Sequence, residues 1–582
     1  MTGGSTSAAK VEPPAPAALI DAAFQHHRAG RLPAAAQFYR RALVTAPGHE
    51  KTLLLFGMLQ AGAGYGGTLL ERFLRLGEGG PAERGAALFE LARLRQSAFD
   101  DAAALALFAE SDRLAPGLAA THRGLALSLQ RSGRAHDALA AIDRALTLEP
   151  AFAPAHFNHG AILESLNDAG PAIGSFQRAA LLAPEWDEAW SRLGDLWRKA
   201  GAQGPAEAAF RRSIAAEPGN AETCFRLSSL LERQGRLAEA RDCAIEAGRR
   251  HGVRRHPCRG GKPVARVLLI GGAGSCNLPP EFLFPSDRYE LVSTYLLPPD
   301  VPESDPGALT QKLPPFDVAF NAIADLDRGA DFFPQAKQVC QLLRQPVLNP
   351  PDFRLERTRR DRIADFLADT PGLIVPPTRR LTRRDLAELA VAPERPMLVR
   401  PAGAHGGDDL ERIDGGEALA VYLARNEAEL FYVSDYVDYA SEDGYFRKYR
   451  FIAVDREIYP YHLAIGRHWL LHYISSDMVE SAAFRRDEER FLADWRSTLP
   501  AAAAQALDTI AVSLDLDYAG VDCAVARDGR LVLFEANPCM LVHLRDPQEI
   551  FPYKHRYVPR IVDAVERMVR RKRLLTEGHS SA

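Results

Sequence analysis

The chain has no apolar run approaching the ~20 residues that a bilayer span needs, because Arg, Asp or Glu interrupts each one. No membrane role is expected. Charge of one sign is also missing. The 71 Lys and Arg stand against 75 Asp and Glu, a net charge of −4, which gives no global attraction to nucleic acid. The seven cysteines (Cys224, Cys243, Cys258, Cys276, Cys340, Cys523 and Cys539) include no C-x-x-C pair, which argues against a zinc or redox site. Reduced thiols in a cytoplasmic protein are the expectation. The first residues lack a basic start followed by an apolar stretch, so no secretory signal is expected. What is present is an ordinary globular balance, 47% hydrophobic and 25% charged, which excludes wholesale disorder. At 582 residues it allows about three or four folding units.

The first half repeats itself. Pro116, Pro150, Pro184 and Pro218 recur every 34 residues. Gly133, Gly201 and Gly235 keep the same register, with Asn167 in the slot between the first two. Ala104, Ala138, Ala172, Ala206 and Ala240 form a third column, and Phe108, Ile142, Phe176 and Phe210 a fourth. Each column has a physical reason. A small Ala lets two antiparallel helices approach, and the large apolar residue one turn later fills the groove. Gly or Asn accepts the left-handed conformation that ends a helix, and Pro cannot continue the next one. The pattern predicts paired helices over 16–252, after a flexible tail at 1–15.

These residues resemble tetratricopeptide repeats, as in Trp190, Leu193, Gly194, Trp197, Ala206, Phe210 and Pro218. An earlier copy uses Ala23, Gly30, Ala35, Tyr39, Ala42 and Pro47, followed by a degenerate stretch at 50–84. The resemblance implies a superhelix whose groove binds an extended peptide or another protein's helix. A rigid spacer or dimerisation element is the alternative.

Residues 253–262, basic and Gly-containing, read as a linker. Periodicity then changes class. Val264 to Ile270 is a strand-like run followed by a Gly-rich turn without G-x-G-x-x-G, and further strand and helix signals reach Asn349. Residues 263–350 are expected to form a small parallel-sheet α/β domain.

The chemistry concentrates in 351–575, before a second tail at 576–582. Leu514 to Val525 and Leu531 to Pro538 flank the turn Arg527-Asp528-Gly529-Arg530, a hairpin. Alternation puts Glu535 and Asn537 on one face, and a hairpin can bring Asp522 beside them. Three converging oxygen-bearing side chains, with no basic partner near them in sequence, describe a hard-cation site, and Mg²⁺ held jointly with phosphates is the expectation.

This segment resembles the metal-binding end of the ATP-grasp superfamily. The resemblance implies an α+β domain that binds ATP and Mg²⁺, with Asp522, Glu535 and Asn537 as metal ligands. It also implies a phosphate-reaching cation at Arg400, where the family has Lys, at the end of the strand before the loop Ala402 to Gly407. In that loop Gly403, His405, Gly406 and Gly407 would cover phosphates. Arg359 or Arg362 would supply the family's second such cation, Asp435, with Asp438 as the fallback, the acid at the ribose or amino group, and Arg450, with Lys448 on the same face, charge neutralisation at the transferred phosphate. His462, on an aromatic strand, reads as a satisfied core histidine; His472 and His543 are substrate-contact candidates, and Cys539 is packing.

The implied activity is a carboxylate–amine ligase acting through an acyl phosphate, with a small carboxylate or amine substrate. The repeats would hold a peptide or protein for modification. The rival expectation is a nonenzymatic interaction scaffold with a nucleotide-sensing or inactive domain. A repeat-linked glycosyltransferase ranks third, since it leaves the hairpin unexplained.

Overall fold

The computed structural model describes residues 16–579, apart from 63, 275, 276, 278–281, 324, 390–395, 405, 406, 408, 472, 474, 475, 539 and 545. The chain divides into two compact units, Met1–Ala216 and Glu217–Ala582.

The first unit is a succession of helical hairpins. The pairs Pro81–Ser97 with Asp101–Leu114, Ala119–Arg131 with Ala135–Leu148, Ala153–Ser165 with Ala169–Leu182, and Asp187–Lys199 with Gln203–Ala216 follow the period. Ala104, Ala138, Ala172 and Ala206 are fully buried, as are Phe108, Ile142, Phe176 and Phe210. The helices of a pair approach so closely that a Cβ on Gly194 would meet the Phe210 ring at 2.6 Å. Asn167 takes the same left-handed turn (φ 61°) as Gly133 (77°) and Gly201 (76°). The degenerate stretch still folds as a hairpin, Glu50–Ala61 with Gly67–Leu76. Its turn needs Gly66, at φ 94°, where a Cβ would strike the Gly57 carbonyl oxygen at 2.5 Å.

The second unit opens with the hairpin Ala221–Arg233 and Leu237–His251. This pair, expected with the repeats, lays Phe225 and Ile245 against the core of the first sheet. The expected linker is also different: it begins with strand β1 (Val253–His256), paired antiparallel to β3 (Tyr289–Leu296). With β2 (Ala265–Gly272), β4 (Val318–Asn321) and β5 (Val347–Leu348) they form a sheet of order β1-β3-β2-β4-β5, parallel except for β1.

Two further sheets follow. One contains β7 (Thr378–Thr382), β10 (Leu430–Asp435), β8 (Met397–Pro401) and β9 (Glu411–Ile413), all antiparallel. The other has the order β12 (Glu457–Gly466), β11 (Phe446–Val454), β13 (Tyr518–Val525), β14 (Leu531–Asn537), β6 (Leu373–Ile374). Helix Pro559–His579 buries Ile561, Val565, Met568 and Val569 in one core with Val267 and Phe320 of the first sheet and Ile452 and Tyr518 of the third. It runs into the segment expected as a tail at 576–582. No described helix is long and apolar enough to cross a membrane.

Candidate functional site

β11, β13 and β14 are neighbours, and their register sets Arg450 opposite Asp522 and Asp522 opposite Glu535. The pairing of β13 with β14 shifts just beyond, between Asp522 and Cys523, and that of β11 with β12 shifts between Arg450 and Phe451. The hairpin thus gathers Asp522, Glu535 and Asn537 as alternation required. Asn537 Nδ2 donates to Glu535 Oε1 at 3.2 Å.

Cations arrive from elsewhere in the chain, contrary to the absence of a basic partner in the local sequence. Arg450 grips Asp522 with both arms, Nε to Oδ1 at 2.6 Å and a terminal nitrogen to Oδ2 at 2.8 Å. Lys448 Nζ lies 2.8 Å from Oδ2. Burial alone would raise the Asp522 carboxyl, but Arg450 and Lys448 outweigh it and hold it far below the carboxylate range. Arg360 meets Glu535 Oε2 at 2.6 Å. Burial again acts upward, yet Arg360, with Arg400 behind it, lowers the Glu535 carboxyl to about 2.

These groups form the charged end of a cleft that encloses about 1230 Å³, open mouth included. Arg360, Arg400, Lys448 and Arg450 there face Asp522 and Glu535, four cations against two carboxylates. Val375, Leu398, Tyr436, Val437 and Phe534 add apolar surface to the same lining, with Asp435 beside Tyr436. Walls from β8 and β10 on one side and β11, β13 and β14 on the other make it a space between two sheets.

The expected cofactor residues divide. Arg400 lines the cleft, almost wholly buried, and donates to the Ala404 carbonyl. Gly407 and Asp435 also line it. Gly403, at φ 77°, lies against the Arg328 side chain. His405, Gly406, His472 and Cys539 lie outside the described residues. Arg359 is paired with Asp361 (2.6 Å), and Arg362 is exposed beside Glu356 (3.5 Å). Residues 357–362 form a turn, so the arginines diverge, and of Arg359, Arg360 and Arg362 it is Arg360 that lines the cleft. No spacing rule singled it out. Tyr432 was missed as well; its hydroxyl donates to Asp327 at 2.9 Å from the cleft wall.

His462 is core, as expected, packed edge-on to Tyr461 and Tyr473. It is not satisfied, since its buried Nδ1 has no hydrogen-bond partner. Burial, then Arg450 and Lys554, keep the ring neutral. His543 lies beside Tyr461, whose hydroxyl accepts from its backbone N–H at 2.9 Å.

Among the described residues, no three His, Cys, Asp or Glu side chains gather as a metal cluster. A cation here would have two carboxylates and the Asn537 amide. That hard-oxygen set suits Mg²⁺ once the guanidinium and ammonium groups turn toward an anion, and the excess of cations suits an anion of several charges.

No family model matches the chain, and no curated protein matches it. Solved structures similar to part of it include a MamA protein (20% identity over 29% of this chain and 92% of that one, TM-score 0.27). YrrB, described as a TPR protein with an unusual peptide-binding site, shares 19% identity over 28% of this chain and 84% of its own, TM-score 0.26. TTC0263, a thermophilic TPR protein of Thermus thermophilus, shares 20% over 38% and 100%, TM-score 0.24. The array is therefore described by its own geometry: a tetratricopeptide-like helical repeat followed by a region of mixed sheets.

Proposed function

We propose that this protein is an ATP- and Mg²⁺-dependent ligase of the ATP-grasp type that joins a carboxylate to an amine, with its repeats holding the peptide or protein to be modified. One observation carries the reading: a hairpin face bearing Asp522 and Glu535 meets four cations in a cleft that also has apolar lining. Asp522, Glu535 and Asn537 would hold Mg²⁺. Arg360, Arg400, Lys448 and Arg450 would take the phosphates, and the apolar part of the lining would take the base, with Asp435 near the ribose. Bound ATP supplies a phosphoryl group that a substrate carboxylate accepts as the bond to ADP breaks; an amine then bonds the acyl carbon, phosphate leaves and the amine proton passes to solvent. The chain's own task is positioning and charge neutralisation, which preformed donors perform without reorganisation.

The scaffold reading draws on a different fact. Every carboxylate oxygen at the charged end already has a partner: both of Asp522 on cations, and those of Glu535 on Arg360 and Asn537. Calorimetric titration with a nonhydrolysable ATP analogue and Mg²⁺ separates the two, run beside a Glu535→Gln, Asn537→Ala variant. Metal-dependent binding that the variant loses supports the ligase and justifies screening acids and amines for ADP release. Absence of binding by folded wild type leaves the scaffold.

A further inference from the structure

Asn349 directly follows β5, the last strand of the first sheet, and is fully buried. Its backbone is left-handed, at φ 48°, a conformation that Asn adopts more often than most residues. Its side-chain oxygen accepts from the backbone N–H groups of Asp517 (3.0 Å) and Tyr518 (3.1 Å). Its amide nitrogen donates to the carbonyls of Tyr518 (2.7 Å) and Pro538 (3.0 Å). Its own N–H donates to Asp517 Oδ2 at 2.9 Å, and Lys572 lies 2.7 Å from the other oxygen of that carboxylate.

These partners stand at two informative places. Tyr518 opens β13, four residues before Asp522, and Pro538 directly follows Asn537, the last residue of β14. The rungs between β13 and β14 run from Val525 with Leu531 to Gly520 with Asn537. Beyond that last rung the Asn349 side chain acts as a strand neighbour would. It pairs the N–H and carbonyl of Tyr518 and the carbonyl of Pro538, three backbone groups with one amide. The chain then folds back across β13. Met540 packs on Gly520, where a Cβ would strike the Met540 Cβ at 2.1 Å, and the Tyr518 hydroxyl donates to the Met540 carbonyl at 2.5 Å.

Asn537 is thus fixed from two sides, by its rung with Gly520 and by the hold of Asn349 on the next residue. Asp522 and Glu535 are oriented by the cations that grip them. A neutral amide gains less from such cations, so its direction depends more on the backbone that carries it. We propose that Asn349 is a positioning residue for the metal site: it fixes the backbone at Pro538 and so sets the direction of the Asn537 amide relative to Asp522 and Glu535. The proposal rests on the reading of the cleft as a site for Mg²⁺ and nucleotide.

The test uses the full chain and the nonhydrolysable ATP analogue, titrated by calorimetry once with Mg²⁺ and once with EDTA. The quotient of the two affinities is the gain from metal. Asn349→Gly keeps the left-handed backbone and removes the side chain. It should lower that gain by about tenfold, the small end of the range for losing a group that orients a metal ligand. Affinity in EDTA should stay as in wild type, because the four cations remain. Tyr518→Phe removes only the bond to the Met540 carbonyl; it should lower the gain by a smaller factor, and it decides the case if Asn349→Gly does not fold. Amide hydrogen exchange at residues 536–540 should quicken in Asn349→Gly while β11 keeps its protection. A folded Asn349→Gly with the wild-type gain from metal overturns the proposal. So does one that loses affinity equally with and without metal, or one whose exchange at 536–540 is unchanged. Wild type that binds the analogue without any gain from metal overturns the Mg²⁺ reading and this proposal with it, and wild type that does not bind overturns the nucleotide reading.

Discussion

Arg360 and Glu535 belong to distant parts of the chain, a turn and the last strand of a hairpin, and meet at 2.6 Å inside the cleft. Their contact gives the charged end its resting state: the carboxylate that would hold a metal is held by a guanidinium instead.

Metal affinity should therefore depend on nucleotide. With its carboxylates already on cations, the free protein should give no calorimetric heat with Mg²⁺ alone, and Mg²⁺ with the ATP analogue should give a clear one. Arg360→Gln should weaken analogue binding by about tenfold or more, since an arginine–phosphate contact is charge-assisted and bidentate. It should also let Mg²⁺ bind measurably without nucleotide.

The same contact predicts the acid limb of stability. The Glu535 carboxyl falls from 4.5 to about 2 on folding, so it contributes stability that is complete above pH 4.5 and lost as the pH drops toward 2. Urea unfolding at stepped pH should show a steeper loss across that window in wild type than in Glu535→Gln. Equal slopes would mean that Arg360 does not hold the carboxylate in solution.

Asp522 is almost wholly buried between Arg450 and Lys448. Asp522→Asn leaves two cations facing each other without their anion, which should cost about 3–5 kcal/mol in urea unfolding at neutral pH. Replacing Lys448 by Met in the same background should recover part of that loss. Failure to recover any would show that the cations are relieved by solvent.

In the repeat unit, Phe210→Ala should destabilise by about 3–5 kcal/mol, because the ring is fully buried between paired helices. Gly194→Ala should also destabilise, through the 2.6 Å approach to that ring, and the pair should couple: the Ala at 194 is tolerated once Phe210 is gone. Helical circular dichroism during heating reads both.

The repeats were legible because their columns are packing positions; Ala138 or Phe176 has the same neighbours in every copy. The hairpin Asp522–Glu535–Asn537 was legible for a similar reason, since alternation fixes faces without knowledge of the rest of the fold. β1 was not, because Arg254, Arg255 and His256 are exposed on an edge and carry no apolar rhythm. Arg360 was not, because a turn sends neighbouring side chains in different directions and its partner lies on a remote strand. The degenerate hairpin at 50–76 lost the period while keeping its apolar contacts.

Helix Pro559–His579 shares one core with the first and third sheets. A chain emerging from the ribosome has all of Met1–Ala216 available for folding long before Val569 is synthesised. The repeats can settle early, each hairpin on its predecessor. The sheets must wait for that helix to close their shared core. During translation the array can thus be complete while the walls of the cleft are still unfinished.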